Sequence, residues 1–247
     1  MHFLIVNDDG ISSSFLPIMV HACAKAGHHV TVCVPETQQS GKAHAYTIEK
    51  PILGRQVDMP EADEAWVLEG TPADCCRIAL MSITKDVHAV ISGINVGYNT
   101  GMSVYVSGTV GAAREAVFQQ KPGVAVSAEK QTPADTLAFL ADWAVEMAEK
   151  LVLRGAPPMT VCNLNAPPIP ADALKDKVLC PLNRAPYKDS YERRVSPRHQ
   201  TYFWLSPLAQ EPPFPGTDQA MLDDGHPTCT FLTIDGADQS EFTSYLV

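Results

Sequence analysis

Two aspartates stand side by side at positions 8 and 9, in IVNDDG, directly after an apolar run from Phe3 to Val6. Adjacent carboxylates repel each other, and the second ionises with difficulty unless a cation or hydrogen-bond donors lie nearby. The pair reads as a divalent-metal or phosphate site, set against the plainer reading that Asn, Asp and Gly make a solvated turn. Hard cations such as Mg2+ and Mn2+ take oxygen ligands and keep several waters, so a few protein ligands suffice. Ser40, in QQSGKAH, offers a hydroxyl, and Asn95, in SGINVGYN, offers an amide carbonyl. The candidate metal set is therefore Asp8, Asp9, Ser40 and Asn95. A lone Ser or Asn in a loop is otherwise an ordinary turn residue.

A second group suits an anion. Ser107, Gly108 and Thr109, in SGTVGAAREAV, stand where a helix begins, and unpaired N–H groups with the positive end of the helix dipole favour phosphate there. The same triplet also serves as an N-cap with a close-packing glycine. Gly93, Gly97 and Gly101 recur at four-residue intervals, like a backbone nest around a ligand. His44 lies two residues beyond Lys42; either could meet a phosphate or leaving group, or His44 could simply fix its loop. The other histidines, at 2, 21, 28, 29, 88, 199 and 226, show no ligand spacing. Cys75-Cys76 has no second pair at zinc-site spacing.

These residues need elements to gather them. The continuous apolar run at 3–6 suits a parallel strand buried on both faces. Residues 14–26 repeat apolar side chains at helical spacing and stop at Gly27. HVTVCVP, WVLEG, HAVISG, VAVSA and MTVCNLN read as further strands. Between them TPADCCRIALMSI starts a helix with Thr71 as N-cap, Pro72 at the first position and Asp74 three residues beyond the cap. Helices also follow at about 109–119 and 133–153. Strands alternating with helices imply parallel pairing with right-handed crossovers, so the carboxyl ends of the strands share one edge. Polar loops at 7–13, 36–45 and 92–109 then meet on that edge.

From about residue 184 the chain becomes rich in proline and turn residues with no clear helical period, and reads as extended hairpin-like strands. Tyr187, Tyr191, Tyr202, Phe203 and Trp204 there would be poorly buried on a monomer, which points to oligomerisation. The expected division is a core over 1–183 and an oligomerisation hairpin and arm over 184–247.

The 247 residues are 45% hydrophobic and 19% charged, ordinary for a soluble globular protein. No apolar run reaches the roughly 20 residues of a membrane span. No basic-then-apolar leader precedes the first aspartates, and the seven cysteines are odd in number and sit in apolar runs, so a cytoplasmic protein with free thiols is expected. A net charge of −10 argues against a nucleic-acid duplex as partner. A glycine fingerprint for a dinucleotide is missing after the first strand, and the adjacent acids do not match the two-residue spacing of haloacid-dehalogenase-type phosphatases.

NDDG, QSG with a following His, GTPADC, SGINVGYNTG, SGTVGAA and the later GTD occur in an order that resembles the SurE family of stationary-phase survival proteins, over about residues 3–236. The resemblance implies an α/β fold, a Rossmann-like three-layer parallel-sheet core carrying a C-terminal β-hairpin arm used in oligomerisation. It also implies a metal-dependent nucleotidase acting on nucleoside 5'- and 3'-monophosphates, with one Mg2+ or Mn2+ per subunit, its catalytic core in 1–183, assembled as a homodimer or homotetramer in which the arm within 184–247 is exchanged between protomers. The family's metal ligands fall on Asp8, Asp9, Ser40 and Asn95, with Asp8 and Asp9 catalytic, and the substrate side falls on Gly41, His44, Asn99, Ser107, Gly108 and Thr109. Two places depart from the family pattern. Ser12-Ser13-Ser14 replaces Ala-Pro-Gly, and Ser103 and Val106 stand where an aspartate and a tyrosine are usual. Those departures favour, as the alternative, a non-catalytic nucleotide- or metal-binding oligomer.

Overall fold

The computed structural model describes residues 1–186, 189–206 and 211–234. The chain opens with β1 (His2–Val6), α1 (Leu16–Lys25), β2 (His29–Pro35), β3 (Gly54–Gln56), β4 (Glu64–Leu68) and α2 (Pro72–Ile78). It continues through β5 (Ala89–Val96), α3 (Gly108–Phe118), β6 (Gly123–Ala128), α4 (Ala134–Arg154) and β7 (Thr160–Ala166). Then come β8 (Val178–Leu179), β9 (Ser190–Val195), β10 (Thr201–Ser206), α5 (Asp218–Asp223) and β11 (Thr228–Thr233).

Nine strands form one sheet in the order β3-β4-β2-β1-β5-β6-β7-β11-β8. From β4 to β7 every pairing is parallel, while β3 and β11 add antiparallel neighbours. The chain moves outward from β1 through β2 to β4, then returns to the other side of β1 with β5 and moves out to β7. That reversal lies between β1 and β5. In open α/β sheets, ligands bind beyond the carboxyl ends of the strands at this switch point.

β1 shows why the sheet has two covered faces. Phe3 and Ile5 pack with Leu16 and Met19 of α1 and Leu137 and Leu140 of α4. Leu4 and Val6, pointing the opposite way, pack with Cys75 and Cys76 of α2 and Ala112 and Ala116 of α3. A fully buried strand has no solvent face, hence the unbroken apolar run. All seven cysteines are free and buried. Among the described residues no helix is long and apolar enough to cross a membrane.

Local signals act as expected at α2, where Thr71 and Asp74 form a reciprocal capping box. The helix expected to continue through TPADCCRIALMSI is α-helical only to Ile78 and widens into a π turn over Ala79–Ile83. Beyond residue 184, β9 and β10 form the expected hairpin, a two-stranded sheet of their own. The rest of that region differs from the expectation of extended strands outside the core. α5 is helical, and β11 pairs antiparallel with β7, carrying buried Cys229 into the main core. Tyr187 and the stretch 235–247, part of the expected exchanged arm, lie outside the described residues.

Candidate active site

Beyond the end of β1 the chain turns on Asn7. Its side-chain amide donates to the Gly10 carbonyl at 3.0 Å and accepts from the Gly10 N–H at 3.0 Å. This turn presents Asp8 and Asp9 to different neighbours. Asp8 Oδ1 accepts from the Thr109 hydroxyl at 2.5 Å and Oδ2 from the Thr109 N–H at 3.3 Å. Asp9 Oδ2 accepts from the Val96 N–H at 2.9 Å. The Asp8 carbonyl accepts from the Gln39 N–H at 2.7 Å. Four segments, from β1, β2, β5 and α3, are thereby tied to two adjacent residues.

Glycine is required at two of these junctions. A Cβ on Gly108 would lie 3.0 Å from both Asp8 Cβ and Asp8 Oδ2. At Gly93, φ is +137° and a Cβ would lie 2.3 Å from the Val126 carbonyl oxygen. β5 shifts register between Ser92 and Asn95 there, a bulge that brings Asn95 to the strand's carboxyl end beside Asp9.

Asp8 and Asp9 are only 3% and 9% exposed. Burial pushes both carboxyl groups up from their ordinary range. At Asp8 the Thr109 hydroxyl opposes this and the neighbouring Asp9 charge reinforces it; at Asp9 the Val96 N–H and the Gln38 side chain oppose it. Among the described residues neither aspartate pairs with a lysine or arginine. A desolvated pair of like charges held by neutral donors fits a divalent cation, which would relieve the repulsion. No group of three or more His, Cys, Asp or Glu is placed to hold a metal among the described residues, so a cation here needs neutral oxygens as well. Asn95 Nδ2 donates to the Gly97 carbonyl at 2.6 Å, and among the described residues no donor meets its Oδ1. Ser40 is exposed and follows Gln39, whose N–H is bound to Asp8.

The anion-binding candidates are distributed differently. Ser107 Oγ caps α3 by accepting from the Val110 N–H at 3.1 Å, and Thr109 is engaged by Asp8. The positive end of α3 thus faces a carboxylate of the chain itself. Gly41 is exposed with φ +73° and open space around it. Asn99 is buried: its Nδ2 donates to Ser127 Oγ at 2.8 Å, its N–H donates to Asn165 Oδ1, and its carbonyl accepts from Asn163 and Asn165. His44 Nε2 lies 2.9 Å from Glu115 Oε2, and its ring stacks on Phe118. His44 therefore ties the 36–45 loop to α3. Ala43 reinforces the tie, its N–H donating to the Val106 carbonyl at 3.0 Å and its own carbonyl lying where a side chain on Gly111 would be.

Glu115 is the residue that sequence reading missed. It is fully buried and also meets the Tyr46 hydroxyl, Arg77 Nη1 at 3.0 Å and Gln119 Nε2 at 2.9 Å. Burial alone would raise its pKa, but these donors with His44 outweigh it and hold the group at about 2. Asp218, the aspartate of the GTD motif, had been given no role from the sequence. Its carboxylate accepts from the Gly101 and Asn183 N–H groups, each at 2.7 Å, and so joins α5 to the loop after β5.

Residues 3–189 match the family described as Survival protein SurE. This chain belongs to the SurE family. It is 37% identical to a protein named 5'-nucleotidase SurE from Nitratidesulfovibrio vulgaris, over 98% of this chain and 97% of that one. A protein of the same name from Desulfovibrio desulfuricans is 36% identical over 99% of this chain and 97% of its own length. The crystal structure of the SurE protein from Aquifex aeolicus superposes with a TM-score of 0.83 at 28% identity, covering 100% of this chain and 99% of that one. Within this SurE chain the two unusual positions carry local roles. Ser103 Oγ donates to the Thr100 carbonyl at 2.5 Å, and the Val106 carbonyl receives the Ala43 N–H.

Proposed function

We propose that this chain is a nucleotidase that hydrolyses nucleoside 5'- and 3'-monophosphates with a divalent cation, Mg2+ or Mn2+, held by Asp8, Asp9, Asn95 and Ser40. The observation that carries the proposal is the buried Asp8-Asp9 pair at the sheet's switch point, supplied with neutral donors and no basic partner among the described residues. The names of the relatives support the nucleotidase part. A divalent cation in such a site neutralises charge on a phosphoryl oxygen and lowers the pKa of bound water.

The chain's own residues have separable tasks. Thr109 fixes the Asp8 carboxylate by two bonds, so its position is set before substrate arrives. The Val96 N–H fixes Asp9 and, through the same backbone, Asn95. Gly108 lets the start of α3 approach, and its N–H with the loop at Gly41 offers backbone donors to phosphate oxygens. His44 and Asn99 act by holding these loops.

We further propose a cytoplasmic homo-oligomer, a dimer or tetramer. Free buried thiols suit a reducing compartment, and the β9–β10 hairpin exposes large apolar side chains on both faces.

Phosphate release from adenosine 5'-monophosphate before and after chelation tests the catalytic reading. Activity is expected to vanish on chelation and return with Mn2+ or Mg2+. Nucleotide binding without turnover under every metal condition would instead identify a silent binding protein.

A further inference from the structure

One carboxylate at the same sheet edge has no task in the chemistry above. Glu129 follows directly on β6, whose last residue, Ala128, pairs with Val96 and accepts the Gly97 N–H at 2.8 Å. Val96 is the residue whose N–H holds Asp9. Glu129 thus stands one strand from Asn95 and two from Asp8 and Asp9, roughly 10 Å across the sheet at about 4.8 Å per strand.

A cavity of about 250 Å3 opens there, walled by Tyr98, Glu129, Asn183 and Gln219 among others. It is built rather than adaptable. Asp218 clamps its two sides through the Gly101 and Asn183 N–H groups. Gln219 Oε1 accepts from the Thr100 hydroxyl at 2.7 Å, and its Nε2 donates to Asp223. The Asn183 side-chain oxygen accepts from two backbone N–H groups. Glu129 and Tyr98 line the same cavity, on the side that follows β5 and β6.

Among the described residues neither lysine nor arginine lines this cavity, so those residues do not suit it to a second phosphate or a carboxylate. Its acceptor chemistry and aromatic wall suit a neutral, donor-rich group. Vicinal hydroxyls bonded by a carboxylate are how dinucleotide-binding sheets hold ribose, and a flat base can lie against an aromatic ring.

We infer that this cavity is the nucleoside subsite, in which Glu129 accepts hydrogen bonds from the ribose hydroxyls of the substrate while its phosphate lies at Asp8 and Asp9. The inference rests on the nucleotidase reading and adds a sugar preference to it. Ribonucleotides should exceed 2'-deoxyribonucleotides, since a hydrogen bond to a charged group is worth roughly ten-fold or more.

The test compares kcat/KM for adenosine 5'-monophosphate and its 2'-deoxy analogue, with Mn2+, in the full chain and in Glu129→Ala. Among the described residues the Glu129 side chain makes no hydrogen bond that holds the fold, and general damage would lower both substrates equally, so the ratio is internally controlled. The parent is expected to prefer the ribonucleotide about ten-fold, and the variant to bring the ratio close to one. A parent ratio near one, or a ratio unchanged by Glu129→Ala, would overturn the subsite while leaving the nucleotidase reading intact. A parent that releases phosphate from neither substrate would overturn both.

Discussion

Asp8 and Asp9 are held by a threonine, a backbone amide and a glutamine, and under the proposed function a divalent cation would relieve the cost of keeping two buried charges adjacent. Glu115 is the opposite case, a buried carboxylate surrounded by donors. Its pKa of about 2 lies below the ordinary 4.5. The ionised network therefore contributes stability above pH 4.5, and that contribution is lost as pH falls toward 2. Glu115→Gln is expected to cost roughly 2 kcal/mol at neutral pH. The loss should stay below that of a fully buried ion pair because Arg77 is 43% exposed and can be solvated alone. Urea denaturation at pH 7 and pH 3 checks this: the gap between parent and variant should narrow at the lower pH, and a constant gap would refute the assignment. The aspartates were legible in the sequence because an apolar run ends on them. Glu115 was not, since a single glutamate within a helix reads as a solvated face.

Helices announce their ends more clearly than their destinations. Thr71 and Asp74 predicted a capping box that the structure contains, and Gly27 ends α1 with φ +78°. α5 and β11 escaped notice because a six-residue helix shows no period, and because β11 pairs with a strand far back in the chain. Asn163 and Asn165 left a readable trace: alternate asparagines in a buried strand fall on one face, where both grip Asn99. The meeting of α3 with Asp8 yields a prediction at this scale. Gly108→Ala places a methyl group 3.0 Å from the Asp8 carboxylate, which must shift by a few tenths of an ångström. Hydrolysis of adenosine 5'-monophosphate should slow about ten-fold, while the melting temperature changes little because alanine favours the helix. A variant as fast as the parent would show that Asp8 needs no such placement.

At the scale of the whole molecule, the core and the arm obey different physics. The sheet order and its two apolar faces account for the fold without any partner. The β9–β10 hairpin does not account for itself: an isolated two-stranded hairpin is marginal in water, and here Tyr191, Phe203 and Trp204 are 69%, 62% and 65% exposed. Replacing Phe203 and Trp204 by serine is expected to lower the assembly state in sedimentation velocity while the far-ultraviolet signal of the core persists; an unchanged sedimentation coefficient would assign the hairpin another role. The central claim concerns the cation. Asp9→Asn removes one buried charge, so its melting temperature should match or exceed the parent's, as at other strained functional sites. A Mn2+ titration of phosphate release by parent and Asp9→Asn tests that claim most directly. The account predicts saturable metal dependence in the parent and a loss of more than about 100-fold in the variant. A parent rate indifferent to Mn2+, or a variant that follows the parent's curve, would contradict it.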